Sequence, residues 1–172
     1  MEIERTFKII LVGDGEVGKT TWVHRLITSD FRNEYIYTAG TDVHPLRFQT
    51  SDGRTIVFNI WDCAGDERYR GIGDAYYISA DGAILMGDLS RRETCSSLGG
   101  WKQKIERCVE NIPFIVCGNK TDREDREVAL DEDAEQDGIE FCAISVANGQ
   151  NLEKPLLLLA RKLLEDEDIE FA

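Results

Sequence analysis

Eight consecutive residues, Gly13-Asp14-Gly15-Glu16-Val17-Gly18-Lys19-Thr20, constrain this chain more than any other stretch. They fit the spacing GxxxxGK[ST], a phosphate-binding loop that works only between a strand and a helix. Both neighbours are present. Phe7 to Val12 is apolar apart from Lys8 and does not alternate, as a central strand covered on both faces requires. Beyond Lys19, the residues Trp22, Val23, Leu26 and Ile27 recur at helical spacing up to Ser29 and Asp30. Glycines let such a loop wrap close around a phosphate with its N–H groups turned inward, and the helix starting near Gly18 adds the positive end of its dipole. Lys19 would neutralise the β- and γ-phosphates, and the Thr20 hydroxyl would ligate Mg²⁺.

The rest of the chain continues the alternation of strand and helix. Strand-like runs fall at Leu46 to Thr50, Thr55 to Trp61, Ala83 to Gly87, Phe114 to Cys117 and Glu140 to Ile144. Between the first two, Ser51-Asp52-Gly53-Arg54 reads as a tight hairpin whose Asp-Gly pair supplies positive φ, so these two strands are expected to be antiparallel. From Leu152 to Leu164, residues Leu152, Leu156, Leu159, Ala160 and Leu163 mark one apolar helix face. The expected fold is therefore α/β: three layers, with a mixed, mostly parallel six-stranded sheet between helices. A length of 172 residues with 42% apolar content suits one domain over 1–172 with an ordinary core. There are no internal repeats.

The net charge of −13 is concentrated: Asp122 to Asp137 and the acidic tail from Glu165 to Ala172 together supply all but one of the excess negative charges. Elsewhere the chain is close to neutral, without the clustered Lys and Arg that nucleic acid or an anionic membrane would need. Both acidic runs read as solvated, one as a loop and residues 165–172 as a frayed tail. Cys63, Cys95, Cys108, Cys117 and Cys142 are odd in number and lack CxxC spacing, which points to reduced thiols rather than a disulfide or zinc framework. The N-terminal apolar run is short and follows an acidic flank, unlike a signal peptide or membrane span. The terminal Ile-Glu-Phe-Ala has no cysteine for prenylation, so no membrane anchor is expected. His24, His44, Trp22, Trp61 and Trp101 read as packing residues.

Three further strings name the ligand. Asn119-Lys120-Thr121-Asp122, directly after a strand, resembles the NKxD guanine motif: the Asp122 carboxylate can accept from both the ring N–H and the exocyclic amine of guanine, which adenine cannot offer. Asp62-Cys63-Ala64-Gly65, at the end of another apolar strand, is similar to DxxG, with Asp62 holding Mg²⁺ through water and the Gly65 N–H meeting the γ-phosphate. Thr38, in the polar stretch after the first helix, resembles the switch threonine that completes the Mg²⁺ shell only with GTP bound.

On these motifs residues 5 to 171 resemble the small GTPases of the Ras superfamily, and within it the Ran branch. Val43-His44-Pro45-Leu46, Asp74-Ala75-Tyr76-Tyr77-Ile78, Glu110-Asn111-Ile112-Pro113, Cys117-Gly118-Asn119-Lys120, Glu153-Lys154-Pro155 and Leu159-Ala160-Arg161-Lys162-Leu163 carry the second resemblance. It implies a monomeric switch between GDP and GTP forms, with Mg²⁺, a nucleotide exchange factor, an activating protein and importin- or exportin-type receptors as partners, in nucleus and cytoplasm. The nucleotide contacts it implies are Asp14, Gly15, Glu16, Val17, Gly18, Lys19, Thr20, Thr21, Tyr35, Thr38, Gly65, Asn119, Lys120, Asp122, Ser145, Val146 and Ala147. Catalysis would fall to Lys19, Thr38 and Asp66, and Mg²⁺ to Thr20, Thr38 and Asp62. The chain departs from the pattern at several points. Asp66 replaces the glutamine that orients the attacking water, Glu16 replaces a loop glycine, and the SAK base loop reads Ser145-Val146-Ala147, where the Val146 N–H would meet the guanine oxygen. The basic patch of Ran gives way to the acidic stretch Asp131 to Asp137, and Ran's acidic C-terminal extension is missing, which puts partners that read those features in question. Two other readings are a hydrolysis-deficient, GTP-locked Ran mimic and a Rab-like trafficking switch, the latter disfavoured by the missing C-terminal cysteines.

Overall fold

The computed structural model of the chain describes residues 4–29, 43–63, 73–128 and 139–172. In chain order the elements are β1 (Glu4–Val12), α1 (Lys19–Ser29), β2 (Val43–Gln49), β3 (Thr55–Asp62), α2 (Gly73–Tyr77), β4 (Gly82–Asp88), α3 (Arg92–Ser96), α4 (Leu98–Glu106), β5 (Phe114–Asn119), β6 (Glu140–Ala143) and α5 (Lys154–Leu164). The strands form one six-stranded sheet in the order β2-β3-β1-β4-β5-β6. Among these six strands of the described residues, β2 and β3 pair antiparallel and every other neighbouring pair is parallel. The expected three-layer α/β architecture is the observed one.

Strand alternation divides the core in two. Phe7, Ile9 and Leu11 of β1, Ile84 and Met86 of β4, and Ile115 and Cys117 of β5 face one layer, where they meet Trp22, Val23, Leu26 and Ile27 of α1 and Leu156, Leu159 and Ala160 of α5. Ile10 and Val12 of β1, with Ala83 and Leu85 of β4, face the other layer and pack against Tyr77, Leu98 and Ile105. Each fully buried aliphatic side chain contributes about 1.5–3 kcal/mol, so both helical layers are held by the same strands. Trp22 is completely buried, and its indole N–H donates to Leu152 O at 2.9 Å, which ties α1 to the approach of α5. Cys117 and Cys142 lie side by side in the register of β5 and β6; burial pushes the Cys117 thiol well up and the Cys142 thiol to about 11. None of the five cysteines, all of them among the described residues, is in a disulfide. Among the described residues no helix is long and apolar enough to cross a membrane.

The boundaries differ from the sequence expectations in instructive places. The connection between β2 and β3 is residues 50–54, one residue longer than the expected 51–54: Thr50 N–H donates to Arg54 O, and within it only Gly53 takes positive φ, at 88°. Thr50 closes the loop with its side chain, donating to Asp52 at 2.5 Å and accepting from the Arg54 N–H at 3.0 Å. The stretch 165–172, expected to fray, is docked instead. Ile169 is 2% exposed, and Phe171 stacks on Phe48 at 4.5 Å between ring centroids, with Phe58 edge-on at 6.5 Å. Ser51 N–H donates to Glu170 O and Ala172 N–H to Gln49 O, while Arg54 pairs with Asp166 and Arg161 with Glu170. Counting acids missed this because the two apolar residues between them, Ile169 and Phe171, decide where the segment goes. Of the other acidic run, Asp122 to Asp137, residues 122–127 are exposed, as a solvated loop requires, and residues 129–137 lie outside the described residues.

Phe171→Ala should lower stability by roughly 2 kcal/mol, less than the loss at a fully enclosed phenylalanine because the ring is only half covered. Urea unfolding should show a lower midpoint at unchanged slope; an unshifted midpoint would mean that the stacking contributes nothing.

Candidate functional site

The carboxyl ends of β1, β3, β4, β5 and β6 deliver Gly13, Asp62, Asp88, Asn119 and, just beyond the last strand, Ser145 to one rim of the sheet. In open parallel sheets this rim is where ligands sit. The loop from Gly13 to Gly18 lies against it so closely that two glycines are obligatory. A Cβ on Gly13 would stand 2.1 Å from Met86 O, and one on Gly18 would stand 2.3 Å from Asn119 Nδ2. Their φ values of 153° and 104° belong to glycine in any case. At Glu16 the same left-handed region (φ 62°) is occupied by a side chain without any such allowance, and its carboxylate sits exposed on the loop that would carry phosphates.

Lys19 is buried, and its Nζ donates to Gly13 O at 2.9 Å and Asp14 O at 2.8 Å, curling back along the loop. Burial lowers its pKa, opposed by the carboxylates of Asp62 and Asp14. The Thr20 hydroxyl donates to Asp62 Oδ2 at 2.5 Å, bringing the end of β3 to the start of α1. A hydroxyl and a carboxylate in contact form a hard-oxygen donor pair of the kind Mg²⁺ takes, so Thr20 and Asp62 fit that ion. Thr21 is exposed at the first turn of α1. The Asp14 side chain takes no part in the rim: Oδ2 accepts from Ser97 at 2.8 Å and Oδ1 from the Trp101 indole at 3.0 Å, so only its backbone is available to a ligand. Trp101, read as a packing residue, thus also anchors the loop to α4.

The base end is built around Asn119, which is 2% exposed. Its Nδ2 donates to Val17 O at 2.9 Å, and its Oδ1 accepts from Lys120 N–H at 2.7 Å and Val146 N–H at 3.2 Å. The Val146 N–H, expected to meet a guanine oxygen, is therefore turned to Asn119. Asp122 is exposed, and Ser145 orients it by donating to Oδ1 at 2.8 Å from a fully buried position. Ala147 lies exposed on the turn that Gln150 closes against Ser145.

Asp88 and Arg91, which sequence reasoning passed over, join the two ends. Asp88 is 1% exposed and pairs with Lys120 Nζ at 2.9 Å and Arg91 Nε at 3.1 Å, while accepting from Ser90. Burial pushes its carboxyl upward, but the hydrogen bonds from Ser90, Lys120 and Arg91 outweigh that and hold it at about 2. Lys120 also reaches Glu16 O at 3.2 Å, and Arg91 Nη2 reaches Gly15 O at 3.0 Å. A lone aspartate at a strand end carries no motif; the nearest signal was the pair Arg91-Arg92 in an otherwise acidic half of the chain. Tyr35, Thr38, Gly65 and Asp66 lie outside the described residues, so the structure brings together Asp14 to Thr21, Asp62, Asn119 to Asp122 and Ser145 to Ala147 alone. A family model described as "Ras: Ras family" matches residues 8–165, which span every one of these positions.

Glu16→Gly should relieve the strained φ and remove a negative charge beside the phosphates, together worth about 1–2 kcal/mol. We expect GDP release from the variant to slow several-fold in a labelled-nucleotide dissociation assay. Release at the wild-type rate or faster would contradict it.

Proposed function

Because the chain belongs to the Ras family, we propose that it is a Ran-like, guanine-nucleotide-dependent switch that hydrolyses GTP slowly and serves transport between nucleus and cytoplasm. At the coarser level it is a small GTPase with a phosphate-binding loop. Members of this family bind GDP and GTP with Mg²⁺ and work with exchange factors and activating proteins.

The observation that carries the nucleotide reading is the pairing, on one rim, of the Gly13–Thr20 loop with an exposed, Ser145-oriented Asp122. Lys19 brings a cation to the phosphate end, and α1 adds its dipole there. Mg²⁺, when bound at Thr20 and Asp62, supplies further charge neutralisation for the phosphates. Asp122 selects the base, since guanine offers its carboxylate two donors that adenine lacks.

The Ran-like part rests on the strings from Val43-His44-Pro45-Leu46 to Leu159-Ala160-Arg161-Lys162-Leu163. Importin- and exportin-type receptors are the partners proposed on that ground, with residence in nucleus and cytoplasm. Slow hydrolysis rests on Asp66, which is shorter than glutamine and anionic, so that it would repel the charge of the transition state and fall short of the in-line water. The same residue favours a second reading, a GTP-locked binding protein that occupies transport receptors.

Two measurements test these readings. In a pull-down, importin-type receptors should be captured by the GTP-loaded chain and not by the GDP-loaded chain; equal capture would end the Ran-like reading. In single-turnover hydrolysis, Asp66→Gln should raise the rate ten- to a hundred-fold, about 1.4–2.8 kcal/mol of barrier. Equal rates for wild type and Asp66→Gln, both with and without a Ran-type activating protein, would restore ordinary hydrolysis, and no turnover by wild type in either condition would favour the locked form.

A further inference from the structure

Three successive carbonyls of the phosphate loop are each held by a side chain from elsewhere in the fold. Val17 O accepts from Asn119 at 2.9 Å, Glu16 O from Lys120 at 3.2 Å and Gly15 O from Arg91 at 3.0 Å. Two of the three donors belong to the guanine motif. Arg91 does not. It lies between β4 and α3, and its guanidinium is the fork that joins the buried Asp88 carboxylate, through Nε, to the loop, through Nη2.

We propose that Arg91 is a positioning residue for nucleotide binding: anchored on Asp88, it fixes the Gly15–Glu16 peptide so that the Glu16 N–H is presented to the phosphates, and thereby slows nucleotide release. The proposal rests on the guanine-nucleotide reading above. A trans peptide is planar, with its C=O and N–H pointing opposite ways, so a donor that holds Gly15 O turns the Glu16 N–H away from Arg91. The bond is made by a cation to a carbonyl, which is stronger than a neutral pair.

Location gives this contact its consequence. The peptide it fixes precedes Glu16, whose φ of 62° is strained, so this is the point of the loop at which the backbone would otherwise relax. Glu16 also brings a negative charge to a segment that must receive phosphates, and Arg91 places a positive one a single residue away. Asp88 keeps the guanidinium from swinging out. It is 1% exposed, and its other oxygen contacts come from Ser90 and Lys120, so its position is set by β4 and the base loop together. Tension on the base loop is thereby shared with the phosphate loop through one carboxylate.

The test compares GDP with GMP, which lacks the β-phosphate, on wild type, Arg91→Ala and Arg91→Lys, and adds melting of the nucleotide-free proteins. Arg91→Ala should release GDP about tenfold faster, the loss of one charge-assisted bond, while its affinity for GMP stays near wild type. Its nucleotide-free melting temperature should fall, because the buried Asp88 loses one cation, but a cooperative transition should remain. Arg91→Lys has one nitrogen where the guanidinium uses two, so it should restore less than half of the loss; it also keeps the test open if the alanine variant fails to fold. Unchanged GDP release in both variants would overturn the proposal. Equal weakening of GDP and GMP would also overturn it, because a merely structural role predicts that. If wild type itself retains no guanine nucleotide, the functional reading fails and this inference with it.

Discussion

The Asn119 carboxamide donates to the phosphate loop at Val17, accepts from its own neighbour Lys120, and accepts from Val146 at the far edge of the sheet, all from a site closed to water. A buried amide left without these partners would cost about 1–3 kcal/mol for each lost group, so the side chain and the three segments order one another. Gly18 must be glycine because Asn119 approaches so closely, and the start of α1 is placed by that approach. The loops on the rim are therefore one hydrogen-bonded body rather than independent turns resting on a common sheet. Asp88 extends the same body through Lys120 and Arg91.

Much of this was legible in the residues because the motifs and the fold obey the same period. Phe7 to Val12 lacks alternation since β1 is central and covered by helices on both faces, and that arrangement leaves its carboxyl end free to launch the Gly13 loop. Trp22, Val23, Leu26 and Ile27 face the sheet as their spacing required. What escaped the sequence were contacts between side chains distant along the chain. Asp14 turns to Ser97 and Trp101, more than eighty positions away, and nothing local marks that choice. The role of Asp88 is equally silent, because a carboxylate at a strand end can serve as a cap, a solvated charge or an anchor. Burial decides among these, and burial is a property of the finished fold.

The acidic character of the chain also takes on a different meaning once its charges are placed. Asp88 sits in the interior and is matched by two cations, and Asp166 and Glu170 are spent on Arg54 and Arg161. Formal charge counted along the sequence therefore overstates what the tail presents to solvent. The exposed Asp122 is different in kind: a single neutral hydroxyl orients it, which leaves its carboxylate available to a ligand.

An outer strand of a sheet offers a row of backbone donors and acceptors to any passing chain, and proteins protect such rows. In this molecule the last residues serve that purpose for part of β2. Thr50 bridges Phe171 in the antiparallel sense, with Ala172 N–H on Gln49 O and Ser51 N–H on Glu170 O. The lower portion of that border is thus sealed by the chain's own backbone, and sliding β2 by one residue would break the ladder to β3 and this bridge together. The tail acts as a selvedge: it stops the sheet from unravelling, or from being extended by a stranger, at the end farthest from the nucleotide rim.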